Sequence, residues 1–144
     1  MKVVKVSLAI CLVATFVCGL TDGKQAELAK LQESLREAKL YYEGALAKVD
    51  TLSRDEIITC IHKAFDLNYQ LVIDLSVYNG LGPKSPTYDD LVSGLNQLFD
   101  EGKKYFTENI KDLDDDALKQ KFTNELNNMI QATDIMPVLM GVSG

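Results

Sequence analysis

The spacing of apolar residues constrains this chain more than any other feature. After the first 27 residues, apolar or small side chains recur at alternating steps of three and four, the periodicity of one face of an α-helix. This first series is Leu28, Leu31, Leu35, Ala38, Tyr42, Ala45, Val49 and Leu52. No useful stretch shows the alternation of a β-strand. The pattern predicts an all-α fold, and a bundle helix is favoured over a coiled-coil strand because the series spans fewer than four heptads.

Three further amphipathic segments follow, and each is bounded by residues typical of helix ends. Ser53 and Glu56 have the spacing of a capping box, which predicts the start of a second helix, and Asn79-Gly80 is its expected stop. A third helix is expected from near Thr87, and the aspartates at 114–116 are expected to cap a fourth. Since the connections are short, we predict an antiparallel bundle of four amphipathic helices.

The N-terminal segment has the layout of a secretory signal peptide. Two lysines precede an apolar run over residues 6–17, and Gly19 ends a stretch of small residues suited to cleavage. The run is shorter than the ~20 residues that a membrane-spanning helix needs, so an uncleaved anchor is the less favoured alternative. We therefore expect a signal peptide at 1–19, a single helical domain at 20–144, and a secreted, extracellular protein without a transmembrane segment in its mature form.

Charge and composition exclude several classes of function. The formal net charge of the 144-residue chain is −6, and removal of residues 1–19 makes it −8, which argues against binding to nucleic acid. Three cysteines and one histidine do not supply a four-ligand zinc site. The acidic run at 112–116 lacks the glycine and the glutamate that an EF-hand loop requires. No metal or cofactor is expected, and no motif identifies a family.

The residue types of acid–base and nucleophilic catalysis are scarce and poorly placed. Cys60 and His62 lie two residues apart, so on a helix they point about 200° away from each other. The simplest interpretation of His62 is a surface pair with Asp66, four residues later. The sequence therefore predicts a protein that is not an enzyme.

Cys60 is the one cysteine that remains after the predicted cleavage. It is either a buried thiol on the flank of the apolar face or an exposed thiol that links two chains as a homodimer. Tyr41 falls beside the apolar series of the first helix and is expected to be more exposed than Tyr42. We take Cys60 and Tyr41 as candidate surface or dimer contacts.

Two functions from different classes suit such a domain. The favoured hypothesis is an extracellular interaction protein, an effector or inhibitor that binds a protein partner through an acidic surface bearing tyrosines. The alternative is a carrier of apolar small molecules such as fatty acids, held between the helices. The candidate ligand-lining residues of such a carrier are Val72, Leu95, Leu98, Gly102 and Met129.

Overall fold

The computed structural model describes residues 25–139, which form four α-helices and one 3₁₀ turn, with no strand among them. The elements are α1 (Gln25–Ala47), the 3₁₀ turn (Val49–Thr51), α2 (Arg54–Tyr78), α3 (Tyr88–Asn109) and α4 (Asp115–Leu139). The predicted all-α class and the four helices are confirmed. The predicted signal peptide at 1–19 lies outside the described residues.

Local capping chemistry accounts for the helix boundaries. The Ser53 hydroxyl accepts a hydrogen bond from the Glu56 amide at 3.2 Å, and the Glu56 carboxylate accepts one from the Ser53 amide at 2.9 Å. This reciprocal pair is the predicted capping box of α2. Just beyond α2, Gly80 adopts a φ of 90°, and before α4 the Asp114 carboxylate accepts from the Ala117 amide at 2.7 Å. These three boundaries therefore follow from adjacent residues alone.

The first apolar series does not form one continuous helix. The α-helical part ends at Ala47, and the chain then tightens into the 3₁₀ turn. Val49 and Leu52 are nevertheless buried, so the turn keeps the end of the series on the core. A 3₁₀ segment is a common way to complete a helix end, because it satisfies carbonyls that would otherwise lack partners.

The last helix contains a proline, and α4 continues through Pro137 to Leu139. A proline inside a helix removes one backbone donor, and here the carbonyl of Thr133 is the group that loses its usual partner. Met136, directly before the proline, is only 2% exposed. Burial of this side chain in the core stabilises the last turn against the helix-breaking effect of the proline.

The helices pack unequally around the core. α1 packs against α2 and α4, and α4 also contacts α2, whereas α3 packs chiefly against α2. Aromatic pairs dominate the interface between α2 and α3, with the Phe65 ring edge-on to Phe99 at 6.2 Å and to Phe106 at 6.3 Å between centroids. These rings turn toward α2, and α3 packs only sparsely against α4.

Candidate functional site

An open groove of about 810 Å³ runs along α4 beside the C-terminal end of α3. Most of its lining side chains lie on one face of α4, at steps of three and four residues. The lining residues are Asn109, Leu113, Ala117, Gln120, Lys121, Asn124, Glu125, Asn127 and Asn128. The groove therefore occupies the place where a closed four-helix bundle would pack α3 against α4.

Arg54 links one end of this groove to α2. Arg54, the first residue of α2, donates to the Ile110 carbonyl at 3.0 Å and also to the Leu113 carbonyl. Its guanidinium contacts the Asp115 carboxylate at 3.2 Å. These bonds hold the turn between α3 and α4, and Leu113 in this turn forms one end of the groove. The fork of donors on arginine suits several acceptors at once.

The groove is lined mainly by side-chain amides. Its five carboxamides are Asn109, Gln120, Asn124, Asn127 and Asn128. Each carboxamide carries two donor hydrogens and one acceptor oxygen, and none carries a charge. The Asn109 amide nitrogen donates to the Tyr105 carbonyl at 2.8 Å, which leaves its side-chain oxygen as an acceptor. These five amides can therefore donate and accept hydrogen bonds without attracting either sign of charge.

Two charged residues and two aromatic rings complete the site. Glu125 is 6% exposed, and Lys121 places its Nζ 5.5 Å from the centroid of the Phe106 ring. A smaller pocket of about 40 Å³, lined by Tyr105, Phe106, Asn109 and Lys121, adjoins the groove and shares the last two residues with it. The wall beside the amide series is therefore aromatic.

The residues proposed from the sequence to line an apolar ligand site occupy different places. Val72, Leu95 and Met129 are buried in the core, Gly102 is buried on α3, and Leu98 is half-buried. None of the five lines either of the two pockets described above. Sequence reasoning missed the groove, although the amides at 120, 124, 127 and 128 already share one helical face in the sequence.

The two candidate surface contacts lie against each other between α1 and α2. Cys60 is a free, half-buried thiol that packs beside the core. Burial, reinforced by a hydrogen bond with the Cys60 thiol, raises the pKa of the Tyr41 hydroxyl above its ordinary value of 10.0. The neutral hydroxyl is therefore the form that this contact stabilises.

His62 contacts α3. Its Nε2 lies 3.1 Å from the Thr107 hydroxyl oxygen, while Asp66, its expected partner, pairs with Lys103. The Thr107 hydroxyl donates its own hydrogen to the Lys103 carbonyl at 2.8 Å. The threonine oxygen consequently accepts from His62, which places a hydrogen on Nε2 and gives the ring a role in joining α2 to α3.

Residues 25–139 contain no group of three or more His, Cys, Asp or Glu side chains arranged to hold a metal ion. Within the same range, no helix combines the length and hydropathy needed to cross a membrane. Comparison of the chain with protein-family models, curated proteins and solved structures finds no match.

Proposed function

We propose that this chain is a small secreted, non-enzymatic protein that acts by binding a partner outside the cell. The observation that carries the proposal is the groove on α4, a concave surface rich in hydrogen-bonding groups that no other described helix covers. Convergent polar groups in a concave site are the usual basis of specific recognition. In this proposal the remaining helices serve as the rigid support of that surface.

The lining of the groove favours binding over catalysis. It offers one lysine and one glutamate among five neutral amides, and it contains no cysteine, histidine or serine. Amides orient and select a ligand, but they neither exchange protons near neutral pH nor act as nucleophiles. Of the acidic, tyrosine-bearing surface expected from the sequence, Tyr105 and the exposed aspartates at 112–116 lie beside the groove.

The positions of the candidate ligand-lining residues favour an interaction protein over a carrier of apolar molecules, because none of the five lines either of the two pockets described above. A carrier would hold its cargo between the helices, and the side chains proposed for that role include Val72, Leu95 and Met129, all of which are in the buried core cluster. An apolar ligand would also gain little from the groove, because burying unpaired amides beside hydrocarbon is unfavourable. Incubation with a fluorescent fatty acid should therefore give no saturable signal.

We further infer that consecutive helices run antiparallel, as short connections favour. Two contacts between α1 and α2 support this arrangement. Ser34, early in α1, donates to Asp74, late in α2, whereas Tyr41, later in α1, contacts Cys60, early in α2.

Site-specific photo-crosslinking tests the proposed binding surface. The full chain, secreted from a eukaryotic host, carries a photo-reactive phenylalanine derivative at Gln120 in the groove or at Gln32, an exposed amide on α1. Both proteins are irradiated in extracellular fluid from the organism of origin. We expect adducts from the Gln120 position alone, whereas equal adducts at both positions, or none at either, would contradict the proposal.

Secretion itself is measured on the same preparation. A mature mass that begins at Leu20 in the medium is the expected result. Retention of the full-length protein inside the cells would show that the N-terminal segment is not a cleaved signal.

A further inference from the structure

We propose that the groove on α4 binds a neutral oligosaccharide, so that the partner is a glycan or the glycan portion of a glycoprotein. This inference rests on the proposed function, because it names the chemistry of the ligand for the same groove. Three properties of the described residues support it, namely hydrogen-bonding capacity, charge and spacing.

The hydrogen-bonding capacity of the lining matches that of sugar hydroxyls. A hydroxyl group donates one hydrogen and accepts at two lone pairs, and a carboxamide offers both functions within one planar group. Gln120, Asn124, Asn127 and Asn128 are all exposed, so their amides face the groove without first being released from the core. The hydroxyl groups of a sugar chain can therefore make the same hydrogen bonds to these amides that water molecules make.

The charge of the site favours a neutral ligand. Lys121 and Glu125 contribute opposite charges, and the turn at the end of the groove carries the exposed aspartates of residues 112–116. The whole chain has a formal charge of −6, which adds a repulsive field for anions. Sulfated, phosphorylated or sialylated ligands are therefore disfavoured relative to uncharged ones.

The spacing of the amides suits a sugar chain. Gln120, Asn124 and Asn128 are four residues apart, so successive amides rise by about 6 Å along α4, a spacing comparable to one unit of an extended pyranose chain. A helical peptide would need a row of apolar anchors, but Leu113 and Ala117 are the only apolar residues in the lining.

The aromatic pocket beside the groove supplies a second mode of contact. Tyr105 is half-buried and lines this pocket together with Phe106. The face of an aromatic ring is electron-rich and attracts the weakly positive C–H groups on the apolar face of a pyranose. Phe106 is 4% exposed, Lys121 lies over its ring and the pocket measures only about 40 Å³, so a terminal sugar at this end of the groove would contact the exposed part of Tyr105 and the acceptor oxygen of Asn109.

A glycan array probed with the labelled full-length secreted protein tests the inference. The array carries neutral oligosaccharides together with sulfated and sialylated forms. We expect binding to a set of neutral glycans and a weaker signal from their charged derivatives. The dissociation constant of the strongest neutral glycan is then measured for the wild type and for four variants.

Two groove variants and two matched controls locate the binding. Asn124→Ala combined with Asn128→Ala removes two groove amides, and Gln120→Glu adds a charge without shortening the side chain. Asn96→Ala and Gln32→Ala remove exposed amides that do not line the groove. We expect the groove variants to weaken binding by at least about tenfold and the controls to leave it unchanged. Circular dichroism verifies that all four proteins are folded.

Four outcomes would overturn the inference. In the first, no neutral glycan on the array binds the protein. In the second, the groove variants bind the glycan as tightly as the wild type does. A dimer in sedimentation experiments that the groove variants dissociate would assign the face to a second copy of the chain. If crosslinking at Gln120 captures an unglycosylated protein, the proposed function stands and the sugar inference fails. If neither crosslinked adducts at Gln120 nor glycan binding is detected, the proposed function and the sugar inference both fail.

Discussion

Adjacent tyrosines on α1 place their hydroxyls in different surroundings. Tyr41 is half-buried and shares a hydrogen bond with Cys60. Tyr42 is 1% exposed, and its hydroxyl has no hydrogen-bond partner among the described residues. Burial consequently raises the pKa of Tyr42 above its ordinary value of 10.0. Tyr42 contributes its ring to the core at the expense of an unsatisfied polar group.

Replacement of Tyr42 by phenylalanine should therefore stabilise the fold. Removing a buried hydroxyl that lacks a partner relieves its desolvation penalty, and we expect the free energy of unfolding to rise by about 1 kcal/mol. Urea denaturation monitored by circular dichroism measures this change. Tyr41→Phe is the matched control and should not stabilise, because it removes a hydrogen bond. A destabilised Tyr42→Phe variant would show that the hydroxyl has a partner after all.

Cys60 is the second residue whose surroundings lead to a prediction. As a half-buried thiol against the core, it should tolerate serine with a loss of about 1 kcal/mol, and the protein should remain a folded monomer. Non-reducing gel electrophoresis of the wild type and of Cys60→Ser tests this. A wild-type dimer that disappears in the variant would support an interchain disulfide, and complete loss of folding would contradict both interpretations.

At the scale of the element, Gly94 within α3 and Gly80 just beyond α2 differ in whether the backbone requires a glycine. A Cβ placed on Gly94 within α3 would meet nothing within 4 Å, so no close approach requires a glycine. Gly80 has a φ of 90°, a conformation that residues with a side chain rarely adopt.

Alanine substitution at these two positions should have opposite effects. Gly94→Ala should raise the free energy of unfolding by about 1 kcal/mol, since alanine is the better helix former. Gly80→Ala should lower it by about 1 kcal/mol, because the left-handed conformation strains an alanine. Thermal denaturation of the two variants beside the wild type is the measurement. Destabilisation by Gly94→Ala would indicate a contact on that face of α3.

The capping box of α2 makes stability depend on pH. The hydrogen bond from the Ser53 amide lowers the pKa of the Glu56 carboxyl below its ordinary value of 4.5. Because the folded pKa is the lower one, this contribution is complete above pH 4.5 and is lost as the pH falls through the folded value. Glu56→Gln should therefore flatten the acid side of the stability curve, as measured by denaturant midpoints between pH 3 and 7 in ~0.5-unit steps. An unchanged curve would show that the carboxylate does not cap.

At the scale of the whole molecule, Arg54 connects α2 to the turn between α3 and α4. Arg54→Ala removes two bonds to backbone carbonyls and the contact with Asp115, so we expect a loss of about 1–3 kcal/mol. The matched control is Arg36→Ala, because Arg36 pairs only with exposed groups such as Glu33, three residues before it on the surface of α1. Urea denaturation should separate the two variants, and equal effects would contradict the proposed link.

The positions of the helices could be read from the sequence because their determinants are local. Ser53 and Glu56 lie three residues apart, and Asp114 caps its own helix, so no distant segment is needed to place these ends. The apolar periodicity also identified the buried face of α1, where Leu31, Leu35 and Ala38 all enter the core. Helical geometry converts spacing in the sequence directly into a face.

The path of the chain near Pro137 and the pairing of His62 depended on contacts that spacing does not reveal. Burial of Met136 stabilises the turn of α4 that contains Pro137. The hydrogen-bond partner of His62 is Thr107 on α3. Both outcomes depend on which helix faces which. Periodicity along one helix contains no information about the identity of its neighbours.

The sequence by itself determined the class of the fold, the number of helices and most of their ends. Only the tertiary structure decided that α3 turns its aromatic face to Phe65 on α2, and that the amides of α4 consequently border an open groove. The physical reason is that a helix forms through hydrogen bonds and caps within about four residues, whereas a groove is the space left between helices distant in sequence.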